Sequence, residues 1–219
     1  MSNFSQGGAG VNVWNIHPRD RDLDLPEAIL TPRAPVTSSS LPIELAALLP
    51  TSGFDDAWLS KVPAGACAGL FLGNPLRQDT RTFKLLRDAS IAWIANLPSV
   101  SQHDTDFIEN LAEVGMGPEQ ELDRLARYQG EGFKCIASVS SAKDAYYAHN
   151  LGLKTICVLP QVRAYEGGFP SELVRNRAVS EVKDAIGDAD ATLLSIVTRA
   201  EAGARSVWPP QVSAVLERP

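Results

Sequence analysis

From about residue 64 onward, short apolar runs alternate with longer amphipathic stretches. The runs are Ala66 to Leu72, Ser90 to Leu97, Phe133 to Val139, Leu153 to Leu159 and Ala191 to Val197. Each has the length of a strand, is apolar on both faces and is closed by Gly, Pro or Ser. Strands of a parallel sheet covered on both sides read this way. Helices fit between them. Thr80 to Ala89 links the first pair, and Asp104 to Val114 opens on a capping Asp and stops at Gly115. Glu119 to Tyr128 follows Pro118, a favoured first helical position. Ser141-Ala142-Lys143-Asp144 resembles a capping box and opens a helix through Asn150. Ser171 to Ile186 is the longest, with Gly187 beyond its end. This alternation predicts an α/β fold with parallel pairing and right-handed crossovers.

Residues 1 to 60 read differently. Pro18, Pro26, Pro32, Pro35, Pro42 and Pro50, Gly7-Gly8 and the run Ser38-Ser39-Ser40 break any long helix, leaving only short pieces such as Ile43 to Leu49. Trp14, Ile29, Leu30 and Val36 predict that this irregular segment packs on the regular domain of residues 61–219, giving a single domain overall. The repeated unit admits a closed barrel or an open doubly wound sheet. No G-x-G-x-x-G stands at a strand-to-helix turn and no Walker loop occurs.

Composition narrows the function classes. The chain has 219 residues, 20 Lys and Arg against 26 Asp and Glu, and a formal net charge of −6. Without a basic block it is a poor candidate for nucleic acid, which needs clustered cations. The longest apolar runs are about eight residues, against the roughly 20 of a membrane helix. The polar, Gly-rich start is no secretory signal. Cys67, Cys135 and Cys157 are scattered inside apolar runs, which argues against a disulfide framework or a zinc site and for a cytoplasmic protein. No spacing predicts a transition-metal site; Mg²⁺ on carboxylates stays open, since it needs few protein ligands.

The polar turns after the apolar runs carry the candidate chemistry, because the carboxyl ends of parallel strands form the active face of such folds. Asn96 and Ser99 flank Pro98; an amide and a hydroxyl there donate to a developing oxyanion, or simply hold the turn. His103 has the titration range of an acid or base, and Asp104 is either a proton carrier or a helix cap. Arg163 is placed to clamp a carboxylate or phosphate. Gly167-Gly168 suits a lid or an anion-binding turn.

The stretch Asn96-Leu97-Pro98-Ser99-Val100-Ser101-Gln102-His103-Asp104, followed by Leu111-Ala112-Glu113-Val114-Gly115-Met116-Gly117, resembles the phosphoenolpyruvate hydrolase-like TIM-barrel family. That family is similar to the barrel domain of a plant tobamovirus-resistance protein. Its pattern runs N-F-P-T-V-G-x-x-D, then L-E-x-x-G-M-G, then a helix bearing a Glu, which falls here at Glu121. Ser40 to Pro50 resembles the family's G-S-L-A-G-L-L-P stretch, and Gly69 to Pro75 its A-G-V-x-G-T-D-P strand with Asn74 in place of Asp. Departures follow further on. The family's H-M-G-L-T-x-G-G corresponds to Leu159 to Gly168 without its His, and its H-G-G-P is absent after Val197.

The resemblance implies a (β/α) TIM-barrel-like fold with parallel strands. Such a barrel takes at least about 200 residues, and the regular zone starts only near residue 64, so the barrel is expected to be reduced or incomplete at the N-terminus. Uncovered strand edges or helix faces would then need the N-terminal segment or a second subunit, which predicts a homo-oligomer. It implies an enzyme acting on a small carboxylated or oxo-acid-like metabolite by lyase, hydrolase or isomerase chemistry through an enolate-like intermediate. Asn96, Ser99, Asp104 and Glu121 would be catalytic; Asn74, Arg163, Gly167 and Gly168 would bind the anionic substrate. The alternative is a non-catalytic barrel that binds a ligand or a protein partner, which loss of the family's histidines favours.

Overall fold

The computed structural model describes residues 11–32, 56–75, 77–187 and 190–219. The stretch Ser40 to Pro50 and the short helix expected at Ile43 to Leu49 lie outside them. Eight strands close into a barrel in chain order: β1 (Val11–Pro18), β2 (Ala28–Pro32), β3 (Cys67–Gly69), β4 (Trp93–Ala95), β5 (Lys134–Val139), β6 (Thr155–Val158), β7 (Thr192–Val197) and β8 (Ala214–Glu217). The helices are α1 (Asp79–Asp88), α2 (Thr105–Glu113), α3 (Pro118–Gly130), α4 (Ala142–Asn150), α5 (Glu172–Ile186) and the short α6 (Arg199–Ala202).

This corrects the expectation of an all-parallel, incomplete barrel. The barrel is closed and mixed. Strands β2 to β8 run parallel, but β1 pairs antiparallel with both neighbours, Trp14 opposite Ile29 and Ile16 opposite Leu216. Nor do helices alternate with strands throughout, since residues 19–27 join β1 to β2 without one. A parallel return needs a crossover of about a dozen residues or more, so so short a link reverses the chain. The segment expected to be irregular therefore supplies two staves. Closure also removes the open strand edges on which self-association was argued.

The seam is stitched beyond its ladder. The Arg19 guanidinium, just past β1, donates to the carbonyls of Val212 and Pro209, each at 2.8 Å, and lies 5.4 Å from the Trp208 ring. His17 Nε2 lies 2.8 Å from Glu217 Oε2 across β1 and β8.

Strand alternation sorts the core into two layers. Trp14, Ile16, Ile29, Cys67, Trp93, Ala95, Ile136, Cys157, Leu194, Ile196, Ala214 and Leu216 fill the lumen. Their neighbours, among them Leu30, Ala68, Ile94, Ala137, Ile156 and Val215, meet Leu86, Leu122, Leu125 and Val179 of the helices. The helix starts match the sequence: Asp104, Ser141 and Ser171 each accept a backbone N–H two or three positions into their helices.

Gly69 is the tightest point of the lumen. A Cβ there would stand 2.6 Å from Thr31 Cγ2 and 2.8 Å from the Leu97 carbonyl oxygen. Backbone cannot yield cheaply, so Gly69→Ala is expected to cost about 1–3 kcal/mol of unfolding free energy. Gly130→Ala, in open space at the end of α3, is expected to be neutral or stabilising. Urea titration of both variants checks the contrast.

Candidate functional site

The block from Asn96 to Gln102 leaves β4 at its carboxyl end and forms a buried 3-10 turn over Val100–Gln102. Asn96, Ser99 and Glu121 meet there, each 0 % exposed. Asn96 brackets the Ser138 peptide: its Oδ1 accepts from Ser138 N at 2.6 Å and its Nδ2 donates to Ser138 O at 3.0 Å. Asn96 thereby extends the β4–β5 ladder with a side chain. The same Nδ2 donates to Glu121 Oε2 at 2.9 Å. Ser99 Oγ donates to that oxygen at 2.6 Å and Val100 N at 3.2 Å. A second carboxyl repeats the pattern: Ser101 Oγ donates to Asp144 Oδ2 at 2.5 Å and accepts from Ser140 N at 2.7 Å. Carboxyl groups from α3 and α4 thus clamp one turn.

Glu121 ion-pairs with no cation among the described residues. Burial is the largest influence on it and lifts its pKa to about 8, against the pull of the Ser99, Asn96 and Val100 hydrogen bonds and with help from Asp144. It is protonated at neutral pH. This group lies behind the barrel wall, against α3, and is sealed from solvent.

The other expected site residues do not join it. Asp104 is exposed and caps α2, accepting from Phe107 N at 2.9 Å. His103 is half-buried against Phe107, with ring centroids 4.6 Å apart, and burial lowers its pKa although Asp104 opposes the shift. Asn74 stands at the carboxyl end of β3, where its backbone oxygen and that of Leu72 accept from Arg124 of α3. Arg163, Gly167 and Gly168 are exposed in the loop from β6 to α5, Gly168 at φ 109°. The three thiols are buried, and burial pushes Cys135 and Cys157 up to about 12 and Cys67 well above its usual value. They are poor nucleophiles. Among the described residues no group of three or more His, Cys, Asp or Glu could hold a metal ion.

A different set of buried polar atoms lies at the carboxyl end of the barrel. Ser138 follows the alternation of Ile136 into the lumen and is 1 % exposed, and its Oγ has no partner. Gln102 is 0 % exposed; its Nε2 donates to Pro160 O at 3.3 Å, so the side chain spans the carboxyl end of β5 from β4 to β6. Its Oε1 has no partner, nor does Ser140 Oγ. An unpaired buried oxygen costs about 1–3 kcal/mol, and three beside one strand end ask for a reason. Phe169, from the β6–α5 loop, packs on the lumen cluster. The Arg175 and Arg218 guanidinium carbons lie 4.8 and 5.4 Å from its ring centroid. Arg175 pairs with Glu201 at 2.6 Å, and Arg218, which has interactions of its own, follows Leu216 in lumen-facing register just past β8.

None of these residues was singled out from the sequence, and only Ser138 carried a signal that could have found it. Ser138 is a polar break at a lumen position of Lys134 to Val139. Gln102 and Phe169 stand in loops with no marking pattern, and Arg218 follows a strand the sequence does not announce.

No known protein family matches the chain. It is 29 % identical over 112 residues to a protein of Sinorhizobium fredii (strain NBRC 101917 / NGR234) named "Uncharacterized protein y4oT". The match takes in 48 % of this chain and 57 % of that protein, so the chain spans little more than half the length of its relative. No helix of the described residues is long and apolar enough to cross a membrane.

Two outcomes follow for the clamp. The folded-state pKa of Glu121 stands above the ordinary value of 4.5, so its contribution to stability is full below pH 4.5 and is lost as pH rises towards about 8. Glu121→Gln, which copies the neutral acid, is expected to flatten that part of the stability–pH curve measured by urea unfolding. Asp104→Ala is expected to lose about 1 kcal/mol and Asp104→Asn almost nothing, as for a cap.

Proposed function

We propose that this chain is a ligand-binding barrel that takes a small carboxylated metabolite at the carboxyl end of its lumen. The observation that carries the reading is the pair of buried oxygens without a partner among the described residues, Ser138 Oγ and Gln102 Oε1, at the carboxyl end of a mostly apolar lumen. Binding sites have this composition: mostly apolar walls with a few convergent polar groups. The Arg218 guanidinium, which has interactions of its own, adds positive charge at the same end. The acid–base groups expected to work on a substrate are elsewhere, Asp104 on the surface and Glu121 sealed behind the wall. Binding is therefore favoured over turnover.

A second reading is an enzyme of the lyase, hydrolase or isomerase type, acting through an enolate-like intermediate. Its support is the protonated Glu121 carboxyl held by Ser99 and Asn96 in the stretch that carries the family resemblance. For it to act, the turn from Pro98 to Gln102 must open and bring Glu121 to the mouth.

The test is thermal unfolding with acetate, lactate, pyruvate, succinate and phosphoenolpyruvate, against their uncharged amides or esters where these exist. A ligand at about 100 times its Kd adds about 2.7 kcal/mol, a shift of a few degrees. At least one carboxylate is expected to raise the midpoint, and Ser138→Ala and Arg218→Met each to weaken its binding tenfold or more. No shift with any carboxylate overturns the reading. Consumption of the bound acid, abolished by Glu121→Gln, would favour the enzyme.

A further inference from the structure

The orientation of the Gln102 amide restricts what the mouth can hold. A glutamine amide presents donors on one atom and an acceptor on the other. Here Nε2 donates to Pro160 O at 3.3 Å. Turning the amide over would set Oε1 against that carbonyl, two acceptors face to face. The Pro160 carbonyl therefore fixes Oε1 as an acceptor, and nothing among the described residues donates to it. The turn that carries Gln102 is held as well, by Glu121 on Val100 N and by Asp144 on the Ser101 hydroxyl. The acceptor is preorganised and buried.

Resting on the reading of the mouth as a carboxylate site, the geometry points to Gln102 as a specificity-determining residue that selects small acids carrying a hydrogen-bond donor, a 2-hydroxy or 2-amino acid, over the matching 2-oxo acid. A keto oxygen is itself an acceptor and leaves Gln102 Oε1 unpaired beside a second acceptor. A hydroxyl or ammonium group satisfies it. Ser138 does not discriminate, because a hydroxyl both donates and accepts. A site built to bond a hydroxyl rejects analogues that lack the donor by large factors, whereas apolar walls of similar shape do not.

Isothermal titration of the full chain with matched pairs tests this: lactate against pyruvate, glycolate against glyoxylate, and alanine beside lactate. The donor-bearing acid is expected to bind at least tenfold tighter than its oxo partner. Gln102→Leu is expected to bring that ratio close to one, while Ser138→Ala weakens both members alike. Gln102→Met, which removes the acceptor with a flexible side chain, is expected to bring the ratio close to one as well, and it decides the matter if Gln102→Leu does not fold. Equal binding of both members, or tighter binding of the oxo acid, overturns the selection by Gln102 and leaves the carboxylate site standing. An unchanged ratio in folded Gln102→Leu or Gln102→Met overturns it too. Failure of every acid to bind removes the carboxylate site and the selection together.

Discussion

A neutral carboxyl group holds the carboxyl end of this barrel in place. Glu121 reaches from α3 to accept hydrogen bonds from Asn96, Ser99 and Val100 N with no counter-ion beside it. An isolated charge in that setting would be prohibitively costly, so the group keeps its proton. In doing so it ties an outer helix to the end of one strand, and through Asn96 to the Ser138 peptide of the next. Asp144 adds the same kind of tie from α4 through Ser101. Between them these bonds fix the turn that carries Gln102. The order of the mouth depends on bonds made behind the wall.

Closure imposes the second constraint. Seven strands run one way, and a single reversed strand fills the gap between β2 and β8. The reversal puts the start of β1 at the carboxyl ends of the other strands. Asn12, opposite Thr31, therefore faces the same end of the lumen as Ser138. An all-parallel arrangement would have placed Ile16 and Pro18 there instead. The short link of residues 19–27 thus decides the chemistry of the rim as well as the topology.

The regular zone was legible because its signals are local. Strands β3 to β7 sit inside the five apolar runs, and the caps at Asp104, Ser141 and Ser171 mark helix starts to the residue. Strands β1, β2 and β8 were not legible. Val11 to Pro18 mixes Asn12, Asn15 and His17 with its apolar residues; Ala28 to Pro32 lies among prolines; Ala214 to Glu217 is four residues long between Pro210 and Pro219. Their strand character comes from neighbours far along the chain, and no local periodicity reports that. The site divides in the same way. The grouping of Asn96, Ser99 and Glu121 followed from the family-like pattern, whereas their direction, away from the lumen, depends on where the β4–β5 ladder ends.

That direction changes what the resemblance means. A polar block at a strand end reads as chemistry because strand ends line active faces. Here the most distinctive residues of the block spend their hydrogen-bonding capacity on one another and on main chain. Asn96 satisfies both groups of the Ser138 peptide; Ser99 bonds both Glu121 and Ser101 N. Such saturation leaves little to offer a ligand, and sealed groups cannot respond to one. Gln102 and Ser138 are the opposite case, buried yet unsaturated. The block encodes the support of the turn that carries Gln102. Gln102, Phe169 and Arg218 take no part in the Glu121 and Asp144 bonds that hold that turn, so their side chains can change without loosening those bonds.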